Sequence, residues 1–503
     1  MPDASQSDLR SQFDAHIGGT KVAPASGGYF ETVNPFTAQA WARVARCGPA
    51  EVSQAVEVAQ RAFTQGPWPS LTASQRGNLI YRLGDAIAAH AEELAEYEVR
   101  DNGKLINEML AQAKYIPQWY YYFGGLADKI EGAVIPIDKP DTFNFTVHEP
   151  LGVIAAMTAW NSPLLLLSFK LAPALAAGNT FVVKPSEYTS TSTLRFVEIL
   201  EEAGLPPGVL NVITGFGSEA GAALVEHPQV AKVAFTGGSA SGAKVYQAAA
   251  KDLKKCTLEL GGKSPNIVFE DAKLDSAVKG AIAGIFAATG QTCIAGSRLL
   301  VQNSIYDAFV DRLVNFAKTA RMGDPMDTAT QVGPVTTPDQ YDKILGYIAV
   351  AKEEGARVLL GGGPATDRPE IGDSRYFIEP TIFDGVTNDM RIAQEEVFGP
   401  VLSIIRFEDE DDAIRIANDI DFGLAAGIWT QSIGRAIRVS RAVQAGTVWV
   451  NNYRTLSYMS PFGGYKQSGI GRENGIEAVR EYLQTKSVWI STADDIPNPF
   501  VLR

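Results

Sequence analysis

The sequence predicts an α/β protein built around parallel β-sheets with helices on both faces. Between about residues 150 and 260, short runs rich in Val, Ile and Phe alternate with amphipathic helical segments. Glycine turns follow several of these runs, and a second series of the same kind continues to about residue 460. Strands that alternate with helices are joined by right-handed crossovers, which makes the strands parallel and buries both sheet faces.

The order of the elements follows from hydrophobic spacing. Residues 49–130 have the three- and four-residue spacing of helices, most clearly at 50–63 and 79–99. Strands and helices are then predicted alternately, in the segments 152–160, 163–178, 180–186, 191–204, 208–217, 218–228 and 230–238. The alternating pattern of residues 131–149 predicts a projecting hairpin, and the pattern of the tail from residue 482 predicts a strand. Since both lack local partners, we expect them to pair with each other or with another subunit.

Composition excludes several classes of function. The chain has 57 acidic against 44 basic residues and a net charge of -13, whereas nucleic-acid binding needs clustered positive charge. The first twenty residues are polar and the apolar run 162–178 is interrupted by Lys170, so we expect neither a secretory signal nor a membrane span. Three widely spaced cysteines and four scattered histidines indicate a cytoplasmic protein with no disulfide framework and no metal site.

Two glycine-rich turns follow predicted strands. The turn GFGSEAG (215–221) has the spacing G-x-G-x-x-x-G, one residue longer than a dinucleotide fingerprint, so a plain tight turn is an open alternative. The turn FTGGSASG (235–242) comes after the next strand. Parallel strands end at the same sheet edge, where open α/β sheets bind ligands. Together the two turns favour a bound nucleotide.

Cys293 is the candidate nucleophile among the three cysteines. It lies in ATGQTCIAGSRLLV (288–301), among small and hydroxylated residues that leave the sulfur uncrowded. Unpaired cysteines are usually buried packing residues, which is the interpretation for Cys47 and Cys256. A free thiol has a pKa of about 8.5, so a catalytic sulfur also needs a stabilised anion.

A set of motifs in fixed order indicates a family. LELGGKSP (258–265) precedes GQTC (290–293), and around them stand AWNSP (159–163), VVKPSE (182–187), GLPPGVLNVITG (204–215), EEVFGPV (395–401) and PFGGYKQSGIGRENG (461–475). In these motifs the chain resembles the NAD(P)-dependent aldehyde dehydrogenase superfamily, in its non-acylating, hydrolytic branch. The resemblance covers nearly the whole chain.

The resemblance implies a domain organisation. It implies a Rossmann-like, parallel-sheet NAD-binding domain (1–130 and 150–262), a second α/β catalytic domain (263–462) and a small β-element for oligomerisation (131–149 and 484–503). The expected partners are a small-molecule aldehyde and further copies of the chain, as a homodimer or homotetramer.

It also implies roles for five catalytic residues. Cys293 would attack the aldehyde to give a thiohemiacetal, and then carry a thioester after hydride transfer. Asn161 would stabilise the oxyanion together with the Cys293 N–H. Glu259 would act as general base for hydrolysis, and Lys170 and Glu473 would relay the proton outward. For the last two residues, a surface charge and a loop salt bridge remain alternatives.

The implied cofactor is NAD, with NADP as the alternative. Lys184 and Glu187 would hold the adenine-side ribose, and the Glu187 carboxylate would repel a 2′-phosphate. Glu396 and Phe398 would orient the nicotinamide end, and Ser239 would replace a hydroxyl that many members carry at Gly238. The full cofactor set is Thr158, Ala159, Trp160, Lys184, Ser186, Glu187, Gly217, Gly221, Phe235, Gly237, Gly238, Ser239, Gly242, Leu260, Gly261, Glu396 and Phe398.

The substrate tunnel is expected to be apolar. The residues predicted to line it are Ser162, Leu165, Leu166, Phe169, Ala287, Thr292, Ile294, Leu456 and Phe462. Ser162 and Ala287 stand where relatives often carry aromatic residues. A tunnel without bulky side chains favours a medium or large hydrophobic aldehyde, such as a branched, terpenoid or aromatic one. Ordinary core packing is the alternative for each residue.

Three other functions compete with this prediction. A coenzyme-A-acylating dehydrogenase of the same fold would have no use for Glu259 as a base. A non-catalytic protein on this scaffold would not need Cys293, Glu259 and Asn161 together. A cysteine hydrolase or acyltransferase without a redox cofactor would not need the nucleotide-binding turns.

Overall fold

The computed structural model describes residues 10–366, 368–372, 374–495 and 498–500. Two large sheets with helices packed around them make up most of this part of the chain. The expected β-element 484–503 includes 496, 497 and 501–503, and the first domain includes 1–9. These residues lie outside the described part.

The first sheet has eight strands and carries most of the predicted strand series. Its central strands are parallel, and antiparallel strands close both edges. In spatial order its strands are Gly469–Ile470, Lys255–Glu259, Val230–Thr236, Val153–Thr158, Thr180–Pro185, Leu210–Val212, Ala15–Ile17 and Thr20–Val22. The four central ones are buried along nearly their whole length, as expected for a sheet covered on both faces.

The second sheet has seven strands and follows the first in the chain. In spatial order they are Arg357–Leu360, Thr381–Asp384, Val401–Phe407, Arg298–Gln302, Pro265–Val268, Ala425–Trp429 and Thr447–Val450. All neighbours are parallel except the edge strand Arg357–Leu360. A small three-stranded sheet contains, in spatial order, Gln12–Phe13, Gln39–Ala45 and Tyr29–Asn34. A two-stranded sheet pairs Phe422–Gly423 with Tyr465–Lys466. The α/β fold class is confirmed.

The helices largely follow the predicted spacing. The α-helices are Pro49–Thr64, Ala73–Ala89, Ala91–Asn102, Ile106–Tyr115, Pro117–Leu126, Pro163–Ala177, Thr191–Glu202, Ala222–Glu226, Ser239–Ala250, Leu274–Phe286, Tyr306–Ala317, Pro338–Glu353, Arg391–Gln394, Glu410–Asn418, Ile433–Ala442 and Glu477–Arg480. The pattern at 79–99 belongs to two helices, because the backbone of His90 leaves the helical conformation between them. The helix Pro163–Ala177 ends at Gly178, the last residue of the predicted segment 163–178, which is in the left-handed conformation. No helix in the described residues is long and apolar enough to cross a membrane.

The two segments without local partners pair with each other. Thr142–Pro150 and Leu483–Ser491 form an antiparallel ladder of nine residue pairs. The predicted hairpin at 131–149 is reduced to one isolated bridge, between Val134 and Phe145. Two further backbone hydrogen bonds, from Thr146 N–H to the Ala133 carbonyl and from Ile135 N–H to the Asn144 carbonyl, hold this segment along one edge of Thr142–Pro150, and the tail strand pairs along the other edge.

Candidate functional site

A cavity of about 630 Å³ opens at the carboxyl ends of the first sheet's strands. Gly237 and Gly238 line it at the N-terminus of the helix Ser239–Ala250, a position suited to binding phosphate groups. At its deep end lie Cys293, Asn161 and Glu259, which belong to three distant segments of the chain. The fold therefore brings the predicted nucleophile, oxyanion donor and base to one cavity.

The loop that carries Cys293 is held by close backbone contacts with two other motifs. A Cβ on Gly262 would meet the Cys293 carbonyl oxygen at 2.5 Å. A Cβ on Gly290, which has φ +68°, would overlap the Gly399 carbonyl. The non-glycine residues Ala288 and Thr289 also have positive φ angles, 55° and 52°. Glycine at 262 and 290 is thus required for the motifs LELGG, GQTC and EEVFGP to meet, and the strained turn aims Cys293 into the cavity.

The Cys293 thiol is partly accessible from the cavity but otherwise enclosed by protein. Burial raises its pKa to about 12, with further contributions from the negative charges of Glu259 and Glu396, and the charge of Lys104 opposes the rise. The thiol is therefore neutral near pH 7 and needs a base to become a nucleophile.

The Glu259 carboxylate has the environment of a general base. It is buried at the end of the strand Lys255–Glu259, and neither of its oxygens has a hydrogen-bond partner among the described residues. Burial raises its pKa well above the usual value, and the charge of Glu473 adds to the rise, whereas Lys170 and Arg472 oppose it. A carboxylate with a raised pKa and free oxygens can accept a proton from water near neutral pH.

Lys170 and Glu473 form a fully buried ion pair behind Glu259. The alternative of a helix surface charge for Lys170 is wrong, because its side chain is 0% exposed, whereas the alternative of a loop salt bridge for Glu473 agrees with this ion pair. One oxygen of Glu473 has no partner among the described residues. Glu473 is positioned by two backbone hydrogen bonds with Phe462, each 2.7 Å long.

Asn161 lies directly before the helix Pro163–Ala177 and faces the cysteine loop. Its side-chain Nδ2 donates to the Gln291 carbonyl at 3.0 Å, two residues before Cys293. A primary amide has two N–H groups, so one donor remains for a developing oxyanion.

The predicted nicotinamide-end residues lie together beside Cys293. Glu396 is partly buried and accepts a hydrogen bond from the Gly262 N–H at 3.0 Å, and desolvation raises its pKa. A Cβ on Gly261 would meet the Glu396 carboxylate at 2.5 Å, so only glycine leaves room for it. The Phe398 ring packs edge-on against Trp160, with centroids 5.2 Å apart.

The predicted adenine-side residues are also in the cavity lining. Lys184 is buried, and its Nζ donates to the carbonyls of Pro185 and Gly215 at 2.8 and 2.7 Å. It also lies 3.5 Å from the Glu187 carboxylate, which is 29% exposed at the cavity. Of the seventeen predicted cofactor residues, fifteen line the cavity, and Ser239 and Gly242 do not. The Ser239 hydroxyl lies 3.5 Å from the Gln467 carbonyl, and Gly242 packs on Leu260.

Of the nine predicted tunnel residues, Leu166 lines the cavity that contains Cys293. Phe169 and Phe462 are buried core residues, and Phe169 stacks on Trp119 with centroids 5.1 Å apart. Ile294 is also buried, and the partly exposed residues are Leu165, Ala287, Thr292 and Leu456. Ser162 is buried, and its hydroxyl accepts a hydrogen bond from Lys104 at 3.2 Å.

Several residues near the site were missed by the sequence analysis. Gln340 and Lys343, on the helix Pro338–Glu353, line the cavity, and Gln340 donates to the Phe398 carbonyl at 3.0 Å. An aromatic cluster of Tyr115, Trp119, Tyr122 and Tyr458 packs against Phe169. The sequence around these residues gives no local signal of function. For the aromatic residues, helical spacing is typical of side chains in a hydrophobic core. Only the tertiary contacts identify them.

Comparison with known proteins agrees with this geometry. Residues 22–488 match the model of the aldehyde dehydrogenase family. An aldehyde dehydrogenase of Emericella nidulans is 47% identical, with 94% of each chain covered. A (Z)-2-((N-methylformamido)methylene)-5-hydroxybutyrolactone dehydrogenase of Acinetobacter baylyi is 46% identical over 98% of this chain and 100% of its own. The crystal structure of betaine aldehyde dehydrogenase from Staphylococcus aureus with NAD+ has a TM-score of 0.95 and 42% identity, covering 97% of each chain.

Proposed function

The chain belongs to the aldehyde dehydrogenase family, and from that premise we propose that it converts its aldehyde to the carboxylic acid through a thioester on Cys293, with Glu259 as general base. The family oxidises aldehydes with NAD. The observation that carries the proposal is the meeting of Cys293, Asn161 and Glu259 in one cavity lined by the cofactor residues.

The fit of NAD to this cavity rests on the residues present. Gly237 and Gly238 at a helix N-terminus suit the pyrophosphate. Glu396, held by the Gly262 N–H, would bind ribose hydroxyls, and Glu187 would do so at the adenine end. The Glu187 carboxylate would repel a 2′-phosphate, which supports a preference for NAD over NADP. When bound, NAD accepts the hydride that leaves the substrate carbon.

The first half of the reaction builds the covalent intermediate. Deprotonated Cys293 adds to the aldehyde carbon, and the carbonyl π electrons move to oxygen. Asn161 and the backbone N–H of Cys293 donate to that oxyanion, which then reforms a carbonyl as the substrate is oxidised to a thioester.

The second half releases the acid. Glu259 takes a proton from water, the hydroxide adds to the thioester carbonyl, and the carbon–sulfur bond breaks to return the Cys293 thiolate. Glu473 and Lys170, buried behind Glu259, are proposed to pass the proton on, which the electrostatic contact between the two glutamates supports. This role for Glu259 favours hydrolysis over transfer of the acyl group to coenzyme A.

For the substrate, we propose an aldehyde with a medium or large hydrocarbon portion next to the reacting carbon. Support comes from the apolar side chains Leu165, Ile294 and Leu456, which belong to or pack against the same hydrophobic cluster as Cys293. The relatives named above act on chemically different compounds, so family membership leaves the rest of the substrate open. Branched, terpenoid and aromatic aldehydes stay a prediction, to be checked by kcat/KM across an aldehyde panel.

We also propose that the ladder of Thr142–Pro150 and Leu483–Ser491 is an oligomerisation element. It exposes Phe143, Trp489 and Ile490, which are 44%, 58% and 48% exposed. Exposed apolar groups on a two-stranded sheet are typical of a subunit contact. Light scattering can compare the molar mass in solution of Trp489→Glu with that of the parent enzyme, and we expect the variant to have a lower mass. An unchanged mass would exclude this ladder as the oligomerisation element.

Glu259→Gln is the direct test of the reaction. NADH absorbance at 340 nm in a stopped-flow instrument should show one burst per active site followed by little turnover. The burst requires Cys293 and the cofactor but no general base for hydrolysis. Full steady-state turnover would remove Glu259 from the mechanism, and restoration of turnover by coenzyme A would favour the acylating reaction instead.

A further inference from the structure

Three charged side chains beside Cys293 have no part in the proposed reaction. They are Lys104 and Glu108, which flank the start of the helix Ile106–Tyr115, and Arg454, on the loop after the strand Thr447–Val450. Arg454 and Lys104 each interact electrostatically with Cys293 and with Glu108. Among the described residues, none of the three is in an ion pair within 4 Å.

The loop that carries Arg454 is tied directly to the cysteine segment. Tyr453, the preceding residue, is buried, and its hydroxyl donates to the Ile294 carbonyl at 3.1 Å. Arg454 itself has φ +67° and donates from Nη1 to the Ala283 carbonyl at 3.2 Å. The residue is partly exposed, and its guanidinium interacts electrostatically with Cys293. Arginine presents five N–H donors, and this single bond leaves most of them free for a ligand.

Lys104 and Glu108 set the charge around this guanidinium. Lys104 is 3% exposed, and its only hydrogen bond from Nζ in the described residues goes to the neutral hydroxyl of Ser162 at 3.2 Å. Glu108 accepts a hydrogen bond from the Ala288 N–H at 2.7 Å, and its second oxygen is buried without a partner. Burial lowers the pKa of Lys104 to about 8, so it is mostly charged at pH 7. Glu98 is a second carboxylate that acts on Lys104, whereas Glu108 is the carboxylate that acts on Arg454, and Arg454 shares it with Lys104.

We propose that Arg454 recognises a negatively charged group, a carboxylate, at the end of the substrate remote from the aldehyde. The inference deepens the proposed function and rests on it. A hydrocarbon segment would lie against the apolar residues near Cys293, and the carboxylate would pair with the guanidinium through charge-assisted hydrogen bonds. A purely hydrophobic aldehyde would leave this partly buried cation desolvated and without a counter-charge. A cationic aldehyde would be repelled.

Matched aldehydes of different charge test the proposal. We expect kcat/KM for 6-oxohexanoate to exceed that for hexanal at least tenfold, and betaine aldehyde to be the poorest of the three. Added salt should lower kcat/KM for 6-oxohexanoate and leave kcat/KM for hexanal nearly unchanged, because only the anion is attracted by charge. Equal values for 6-oxohexanoate and hexanal would overturn the proposal. If no aldehyde is oxidised at all, it is the proposed function that fails.

Variants of Arg454 assign the preference to this residue. Arg454→Gln should lower the ratio of kcat/KM for 6-oxohexanoate to that for hexanal at least tenfold, and Arg454→Lys should recover part of it. Arg312→Gln, which removes an exposed arginine paired with Asp275 on another face, is the matched control and should keep the parent ratio. NAD binding, followed by protein fluorescence, checks that each variant is folded. A parent-like ratio in folded Arg454→Gln would refute the assignment.

Discussion

Gly463→Ala should disable hydrolysis although it replaces none of the predicted catalytic residues. A Cβ at this position would lie 2.9 Å from a Glu259 carboxylate oxygen and 2.8 Å from the Gly471 carbonyl oxygen. Real Cβ atoms essentially never come closer than 3.0 Å to such neighbours. The Gly471 carbonyl belongs to the backbone, whereas the Glu259 carboxylate has no hydrogen bond to hold it, so the carboxylate should move.

The size of the effect follows from the role of the base. A positioned general base contributes about 10²–10⁴-fold, which is about 2.7–5.5 kcal/mol of transition-state stabilisation. We expect steady-state kcat to fall within that range while the burst of NADH remains, because formation of the thioester does not need hydrolysis. Overpacking should also destabilise the protein by about 1–3 kcal/mol, so the assay temperature must stay below the transition measured by circular dichroism.

Two comparisons make the Gly463 experiment decisive. Gly346→Ala lies on an outer helix with nothing within 4 Å of the added Cβ, and it should keep the parent burst and turnover. The double variant with Glu259→Gln should lose no more activity than Glu259→Gln alone, since both changes act through one carboxylate. Parent turnover in folded Gly463→Ala, or full additivity in the double variant, would refute the reasoning.

Two further predictions concern the same site. Asn161→Ala should lower the rate of thioester formation about 10²–10³-fold, or about 2.7–4 kcal/mol, in single-turnover measurements, because one oxyanion donor is lost; an unchanged rate would exclude Asn161 from that role. Turnover should fall as pH drops through a pKa well above the usual value for glutamate, since burial raises the pKa of Glu259 and only its deprotonated form is a base. A kcat profile limited by hydrolysis checks this, and the same acid limb in Glu259→Gln would assign it to another group.

The sequence predicted the sheet strands well because their patterns are locally complete. Val153–Thr158 and Thr180–Pro185 are buried apolar runs bounded by turn residues, and each lies where the spacing predicted it. The hairpin at 131–149 was predicted less well. Residues 133–135 keep only a short contact along one edge of Thr142–Pro150, and the tail strand, more than 300 residues away, forms the long ladder on the other edge. The sequence left open whether the two segments pair with each other or with another subunit, because local pattern does not contain that choice.

Within the site, sequence motifs identified the candidate reactive residues, and the tertiary structure showed which charged residues lie around them. Cys293 could be selected from the small residues around it, whereas Glu259 and Asn161 were named because their motifs resemble those of the aldehyde dehydrogenase family. Lys104 and Arg454 could not, because a lysine or arginine in a polar stretch usually lies in solvent. Their positions near Cys293 result from long-range packing, such as the bond between Tyr453 and the Ile294 carbonyl.

The sequence by itself determined the α/β class, the strand order along the chain and the family whose motifs it carries. Those features depend on local spacing and on side-chain chemistry, which the chain states directly. The tertiary structure alone decided which carboxylate stays buried without hydrogen bonds, which lysine and glutamate pair behind it, and which cations face the sulfur. Burial and electrostatic interaction depend on every neighbour in space, and distance along the chain does not determine them.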